Sequence, residues 1–285
     1  DPLWSRGLGD VYKRQTMTTA VPTSTLSRRS RGWASYASWA GILVILALSF
    51  GYIDVNLSAL KDLPTNIWHY LVLMFSNPDW SKLGEALLQT WRSVAMAWIG
   101  AILGVVLSTI LGVLAANTVS PGWVCLPLRA LFAIIRAVPE IIIAIIILTV
   151  TGLTPFTGAL ALAIGGIGTH AKWTYEAIET APTGPAEAVK ASGGTLAEMV
   201  RWGTWPIVQP ELASLALYRF EINVRTSAVL GLIGVGGIGD MLTGYTQYRQ
   251  WDVVGVLLIV VIVITMSIDA ISGAIRRRIV AAKFA

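Results

Sequence analysis

From Ser93 to Leu128, between Arg92 and Arg129, the chain carries no Asp, Glu, Lys or Arg. About 20 consecutive apolar residues in a helix cross the hydrocarbon core of a bilayer. This run is therefore too long for one crossing and too apolar for the surface of a soluble fold. The cluster Asn117, Ser120, Pro121 and Gly122 divides it, which places one helix at about 92–115 and the next at about 124–151. The latter holds Arg136 and Glu140 and is closed by Gly152, Thr154 and Pro155. Similar runs read as helices at 32–53, at about 157–175, at about 212–232 and from Val253 to about Ala274. With 55% hydrophobic and 13% charged residues, against about 25% charged in an ordinary soluble domain, the expected class is an all-α polytopic membrane protein with about six transmembrane helices.

Other classes fit poorly. The net charge of +5 comes from 21 Lys and Arg that gather mainly at the two chain ends, so there is no stripe for a nucleic acid. A lone Cys125 excludes an intramolecular disulfide, and His69 and His170 are too few and too far apart to suggest a zinc site. Asp1–Gln15 resembles adaptor-derived sequence ahead of Met17, so 1–16 is set aside as non-native and 17–31 is read as a cytoplasmic tail. No Ala-x-Ala cleavage site follows the first apolar run, so 32–53 is expected to remain as an anchor. Arg28, Arg29 and Arg31 before it, and Arg276, Arg277, Arg278 and Lys283 in a basic tail at 276–285, put both termini in the cytoplasm. Residues 54–90 then form an external, periplasmic loop, with Lys61 and Lys82 outnumbered by Asp54, Asp62, Asp79 and Glu85. Its Trp68, Trp80 and Trp91 either lie in the membrane interface or pack on the outer helix ends.

The membrane core is expected to span 91–275, and its one long hydrophilic interruption, Lys172–Glu211, falls on the cytoplasmic side. Pro185 suits the first turn of a helix starting near Thr183, Gly193 and Gly194 end it, and Thr195 with Glu198 forms a capping box for a second short helix. Pro206 and Pro210 are expected to stop that second helix. Within this segment the run EAVKASGGTLAEMVRWGTWP, Glu187–Pro206, resembles the coupling loop of ABC importer permeases, with Glu187, Ala188, Gly193 and Pro206 at the family's spacing. Val189, Gly203 and Trp205 depart from it. The loop as a whole is taken as 176–211.

Downstream, YRFEINVRTSAVLGLIGVGGIG at Tyr218–Gly239, together with RAVPE at Arg136–Glu140, is similar to the phosphonate ABC transporter permease family. The resemblance implies a type I importer fold in a bacterial inner membrane. It also implies a second permease subunit, expected to be identical, a cytoplasmic ATPase dimer and a periplasmic or lipid-anchored substrate-binding protein. No lysine of the chain follows a glycine, so there is no Gly-x-x-x-x-Gly-Lys phosphate loop. The chain is accordingly expected to be no enzyme and to hold no cofactor, with ATP and Mg on the partner ATPase. The expected solute is phosphonate, with phosphate, phosphite or another small solute as alternatives. An ion-coupled secondary transporter, which would show broken helices at mid-membrane, is the reading from another class.

Charges inside the helices mark the candidate path, because an ionised group in hydrocarbon must pair or face water. Arg136 and Glu140 are four apart and can pair across Pro139, which loosens the helix between them. Glu221 and Arg225 are also four apart, and Arg219 has no partner on that face. An oxyanion would be attracted to these guanidiniums, unless they serve as staples between helices. The glycine run through Gly231, Gly234, Gly236, Gly237 and Gly239 lets helices approach or the backbone turn back at membrane depth, and the resemblance puts Gly236 and Gly237 at the gate. His170 and Lys172 are read as interfacial, and Asp269 as facing Arg276 or its neighbours.

Overall fold

The computed structural model describes residues 33–53 and 57–281. The segments 1–16 and 17–31, with Arg28, Arg29 and Arg31, and also Asp54 and Lys283, lie outside the described residues. Among those described there are helices and no strands. The chain divides into two units, Asp1–Pro64 and Thr65–Ala285. The first contains α1 (Trp33–Tyr52) and the opening of α2 (Leu57–Phe75). α1 is long and apolar enough to cross a membrane from Ser35 to Tyr52 and buries none of that stretch within the protein. Its backbone bonds are satisfied within the helix, which is what hydrocarbon demands.

The second unit holds the rest of α2, a 3-10 turn at Trp80–Lys82, α3 (Leu83–Leu114), α4 (Gly122–Ala137), α5 (Glu140–Thr151) and α6 (Pro155–Thr180). The short α7 (Gly184–Ala191) and α8 (Leu196–Glu198) follow, then a π-helical turn at Met199–Thr204, α9 (Trp205–Gly231), α10 (Ile238–Gln247) and α11 (Trp251–Ala281). α6 is the central post, in contact with α3, α4, α5 and α9. Its seam with α3 is a row of small residues, with Gly100, Gly104, Ser108 and Gly112 all buried at intervals of four. A Cβ on Gly104 would meet the Ala163 carbonyl oxygen at 2.9 Å, and one on Gly112 the Ala171 oxygen at 2.8 Å. Apolar tails of lipid are as oily as leucine, so helices in a bilayer associate through such close backbone approach.

Among the described residues three helical stretches are long and apolar enough to cross a membrane, namely Ser35–Tyr52, Trp80–Leu114 and Trp251–Ile279, and α4 with α5 qualifies as a pair bent by 93°. The single helix expected at 124–151 is therefore broken. Val138 precedes a proline, which pushes it out of the helical region, and it is extended at φ −94° and ψ 121°. Within the segment 54–90, read as an external loop, most of the described residues are helical. Lys61, Asp62 and Pro64 interrupt its apolar run without interrupting α2, and α3 begins at Leu83 instead of 92 because its first turns carry polar residues such as Glu85 and Arg92. Pro206 and Pro210 do not stop α8: Pro206 lies in the first turn of α9, which starts at Trp205 and not near 212, and Pro210 is accommodated inside it. The first four N–H groups of a helix have no helical acceptor, so a proline there sacrifices little.

Candidate functional site

Between α6 and α9 the chain folds as a helix, a glycine turn and a capped second helix. Gly193 turns the backbone with φ at +83°, a left-handed conformation that glycine alone adopts without strain. Gly194 lies under Val189, whose carbonyl accepts its N–H at 3.0 Å. At Thr195 both halves of the capping box form: its N–H donates to Glu198 Oε2 at 2.7 Å, and its hydroxyl accepts the Glu198 N–H at 3.4 Å. These bonds, the backbone one foremost, hold the Glu198 carboxyl below its ordinary pKa. Gly203 is buried against α7, where a Cβ would meet Ala186 Cα at 2.6 Å. The departure from the family pattern at Gly203 is thus the contact that fixes α7 to the π-helical turn. Glu187, Ala188, Gly193 and Pro206 all remain exposed along this element.

The charges within the long helices pair differently from their sequence spacing. Arg219, buried on α9, donates from Nη2 to Glu140 Oε1 at 2.5 Å and to the Leu162 carbonyl at 3.4 Å. Glu140 therefore pairs across helices and not with Arg136, because the break at Pro139 removes the i,i+4 relation between them. Glu221, equally buried, pairs with Arg276 of α11, and Arg225 with Asp269 of α11. The expected Glu221–Arg225 pair is absent, and Asp269 meets Arg225 instead of Arg276. Arg136 is exposed and has no hydrogen bond or ion pair among the described residues. Three neighbouring glycines of α6 make room for the first group. A Cβ would meet Glu140 Cγ at 2.6 Å from Gly165, Arg219 Nε at 2.8 Å from Gly166 and Arg136 Cγ at 2.8 Å from Gly168.

After α9 the glycine run does both things open to it. Gly234, Gly236 and Gly237 have φ of +90°, +91° and +83° and turn the chain back, and the end of α9 touches the start of α10 where a Cβ on Gly231 would meet Gly239 Cα at 2.8 Å. Ser93 of α3 anchors the turn by accepting the Ile238 N–H at 3.0 Å. Beside it lies a cavity of about 340 Å³ whose walls include Thr90, Ser93, Arg225, Ile238, Thr265 and Met266.

Residues 108–281 match the family described as binding-protein-dependent transport system inner membrane component. The chain belongs to this family. Among its relatives, the phosphate-import permease protein PhnE of Mycolicibacterium smegmatis is 39% identical over 208 residues, which is 71% of this chain but 38% of that protein. The chain thus spans well under half the length of that relative. The putative phosphite transport system permease protein HtxC of Stutzerimonas stutzeri is 31% identical over 252 residues, 88% of each chain. Among solved structures, the inward-facing MetNI methionine ABC transporter aligns with TM-score 0.59 and 25% identity, over 67% of this chain and 94% of that one. An alginate ABC importer aligns with TM-score 0.55 and 13% identity over 85% and 99%, a likeness of fold. The architecture is that of an ABC importer permease, and the family is an inner membrane transport component.

Every candidate site residue, from Arg136 to Gly237, falls inside the matched region of this permease family. Sequence reasoning missed several others. Gly165, Gly166 and Gly168 were legible only as a glycine-rich helix, although three small residues beside unpaired charges are a usable signal. His170, expected at the interface, is 1% exposed, and neither ring nitrogen has a partner among the described residues. Its place on the face of α6 turned to α9 explains the burial. Arg129 was also missed. It donates from Nε and Nη2 to the Ala115 carbonyl at 3.0 and 2.8 Å, lies over the Tyr175 ring and pairs with Glu179, which in turn accepts the Asn117 N–H at 2.7 Å. This clasp ties the turn after α3 to the end of α6, next to the segment before α7.

Proposed function

We propose that the chain is the membrane-spanning subunit of an ATP-driven importer that moves a phosphorus oxyanion, phosphonate or its relatives phosphite and phosphate, into the cytoplasm by alternating access. The observation that carries this reading is the likeness to a putative phosphite transport permease over 88% of both chains. Guanidiniums inside the helices support it, because Arg binds phosphorus oxyanions through paired, charge-assisted hydrogen bonds. The crossings are α1, α3, the bent α4–α5 pair, α6, α9 and α11, with both termini and the 176–211 segment in the cytoplasm of a bacterial cell. The α6 and α9 helices, 26 and 27 residues long, reach about 40 Å at 1.5 Å per residue, enough to cross. An external binding protein, periplasmic or lipid-anchored, delivers the solute. A second permease subunit of the same sequence completes the path, and two ATPase subunits carry ATP and Mg.

In this reading the exposed Glu187–Gly193 stretch docks on the ATPases. Closure of the ATPase pair shifts α7, and the Gly203–Ala186 contact passes that shift to α9. The test is uptake of labelled 2-aminoethylphosphonate, phosphite and phosphate into proteoliposomes holding the complex, with and without ATP. ATP-dependent uptake of any of the three supports the reading, and uptake of phosphate alone corrects the ligand. Uptake that ignores ATP overturns the ATP-driven reading in favour of an ion-coupled secondary transporter.

A further inference from the structure

Three arginines of α9 and α11 are neutralised by carboxylates on other helices. Arg219 has Glu140, Arg225 has Asp269 and Arg276 has Glu221. Arg136 has no carboxylate among the described residues and is exposed. It stands at the last turn of α4, just before the 93° break into α5. Its side-chain stem lies on Gly168, and a Cβ there would meet both Arg136 Cγ at 2.8 Å and the Phe132 carbonyl oxygen at 2.7 Å. The root of the side chain is therefore fixed against α6 while the charged end is free. Gly168 is also within three residues of Gly165 and Gly166, which lie against Glu140 and Arg219, so the root of Arg136 meets α6 within about 5 Å, along the helix axis, of the contacts of that pair. Arg219 and Glu140 neutralise each other, and the Arg136 charge has no such partner among the described residues. A cation on a membrane-crossing helix needs an anion or water, and the carboxylate nearest in sequence is already held by Arg219.

We infer that Arg136 is the residue that contacts the transported phosphorus oxyanion, and that Arg219, the more deeply buried guanidinium, is excluded from that role by Glu140. The inference rests on the function proposed above. The phosphate of a lipid headgroup presents the same chemistry as the solute, so the test has to separate the two sources. Glu140 makes the selection sharper. Its carboxylate keeps Arg219 neutral overall, so a phosphorus oxyanion meets a single exposed guanidinium with a fixed root and not a diffuse cationic patch.

The complex with its ATPases is placed in nanodiscs without binding protein, and binding of labelled methylphosphonate is measured for the wild type, Arg136→Gln and Arg136→Lys. The same variants are assayed for ATP-dependent uptake in proteoliposomes with binding protein. Losing a charge-assisted hydrogen-bond pair is worth roughly a tenfold fall in binding or more. Arg136→Gln should show that fall in both binding and uptake, with the amount of assembled complex and its ATP hydrolysis retained. Arg136→Lys, which keeps the charge and loses the fork, should fall between the two. A merely structural role would lower assembly and hydrolysis along with uptake. Unchanged methylphosphonate binding and uptake in Arg136→Gln overturns the inference. So does an effect that appears only in discs containing phosphatidylglycerol and is missing in purely zwitterionic lipid, since the arginine would then hold a headgroup. Absence of ATP-dependent uptake of every phosphorus oxyanion by the wild type would instead sink the functional reading itself.

Discussion

At the scale of single residues, the energetics are dominated by buried charge. Arg219 is 6% exposed at its side chain and Glu140 22%, so each depends on the other. Removing one partner of such a pair leaves an uncompensated charge, at a cost of about 3–5 kcal/mol. Glu140→Gln should therefore lower the thermal stability of the detergent-purified protein markedly, whereas Glu140→Gln combined with Arg219→Met should recover most of the loss. Equal stability of the two variants would show that the pair is not coupled. Glu198 works in the opposite setting, exposed to water at a helix start. Its depressed pKa means that its contribution is present above the unfolded-state value and is lost as pH falls through the folded value. Amide protection at Glu198 and Met199, corrected for intrinsic exchange, should decline on acidification below the ordinary carboxylate range. In Thr195→Val that protection should be weak at every pH.

At the scale of elements, the α3–α6 seam sets what the core tolerates. Gly104 faces the Ala163 carbonyl oxygen and Cα at 2.9 and 3.2 Å from where its Cβ would be, and backbone cannot rotate aside as a side chain can. Gly104→Ala should destabilise by about 1–3 kcal/mol. Gly84→Ala, on the same helix with nothing within 4 Å, should be neutral or stabilise by about 0.5–1 kcal/mol through helix propensity. Thermal inactivation in one detergent compares the two. The elements themselves were readable to very different degrees. α1 and α11 follow from uninterrupted apolar runs, and α7 with the turn at Gly193 and the Thr195 cap follows from local proline, glycine and capping chemistry. α2 was hidden because its charges and Pro64 break the apolar signal that marks a span, and a helix carrying them still forms. The ion pairs were misread for a different reason. Spacing reports neighbours on one helix, while Glu140, Glu221 and Arg225 all found partners on another, which only the packing of α5, α9 and α11 decides.

At the scale of the whole molecule, the proposed function requires that movement of α7 reach the arginines of the long helices. Two contacts make that connection from α7 onward. Gly203 presses on Ala186, which joins α7 to the turn leading into α9, and the Arg129–Glu179 clasp joins the end of α6, just before α7, to the middle of α4. α9 carries Arg219, Glu221 and Arg225, and α4 carries Arg136. A shift of α7 can therefore reach the arginines of α9 through the Gly203–Ala186 contact, provided the turn at Gly193 holds its shape, and α4 follows through its tie to α6. Proline fixes φ near −65°, and Gly193 needs +83°. Gly193→Pro should thus break the connection between α7 and α8 while leaving the helices of the core intact. In the assembled transporter, binding-protein-stimulated uptake should fall roughly tenfold or more, the size of loss that about 1.4 kcal/mol of lost coupling would produce. ATP hydrolysis should continue, no longer responsive to the binding protein. Wild-type uptake per ATP in Gly193→Pro would mean that the 176–211 segment does not transmit the movement. Loss of the whole complex from the membrane would mean that it is needed for assembly and not for transmission.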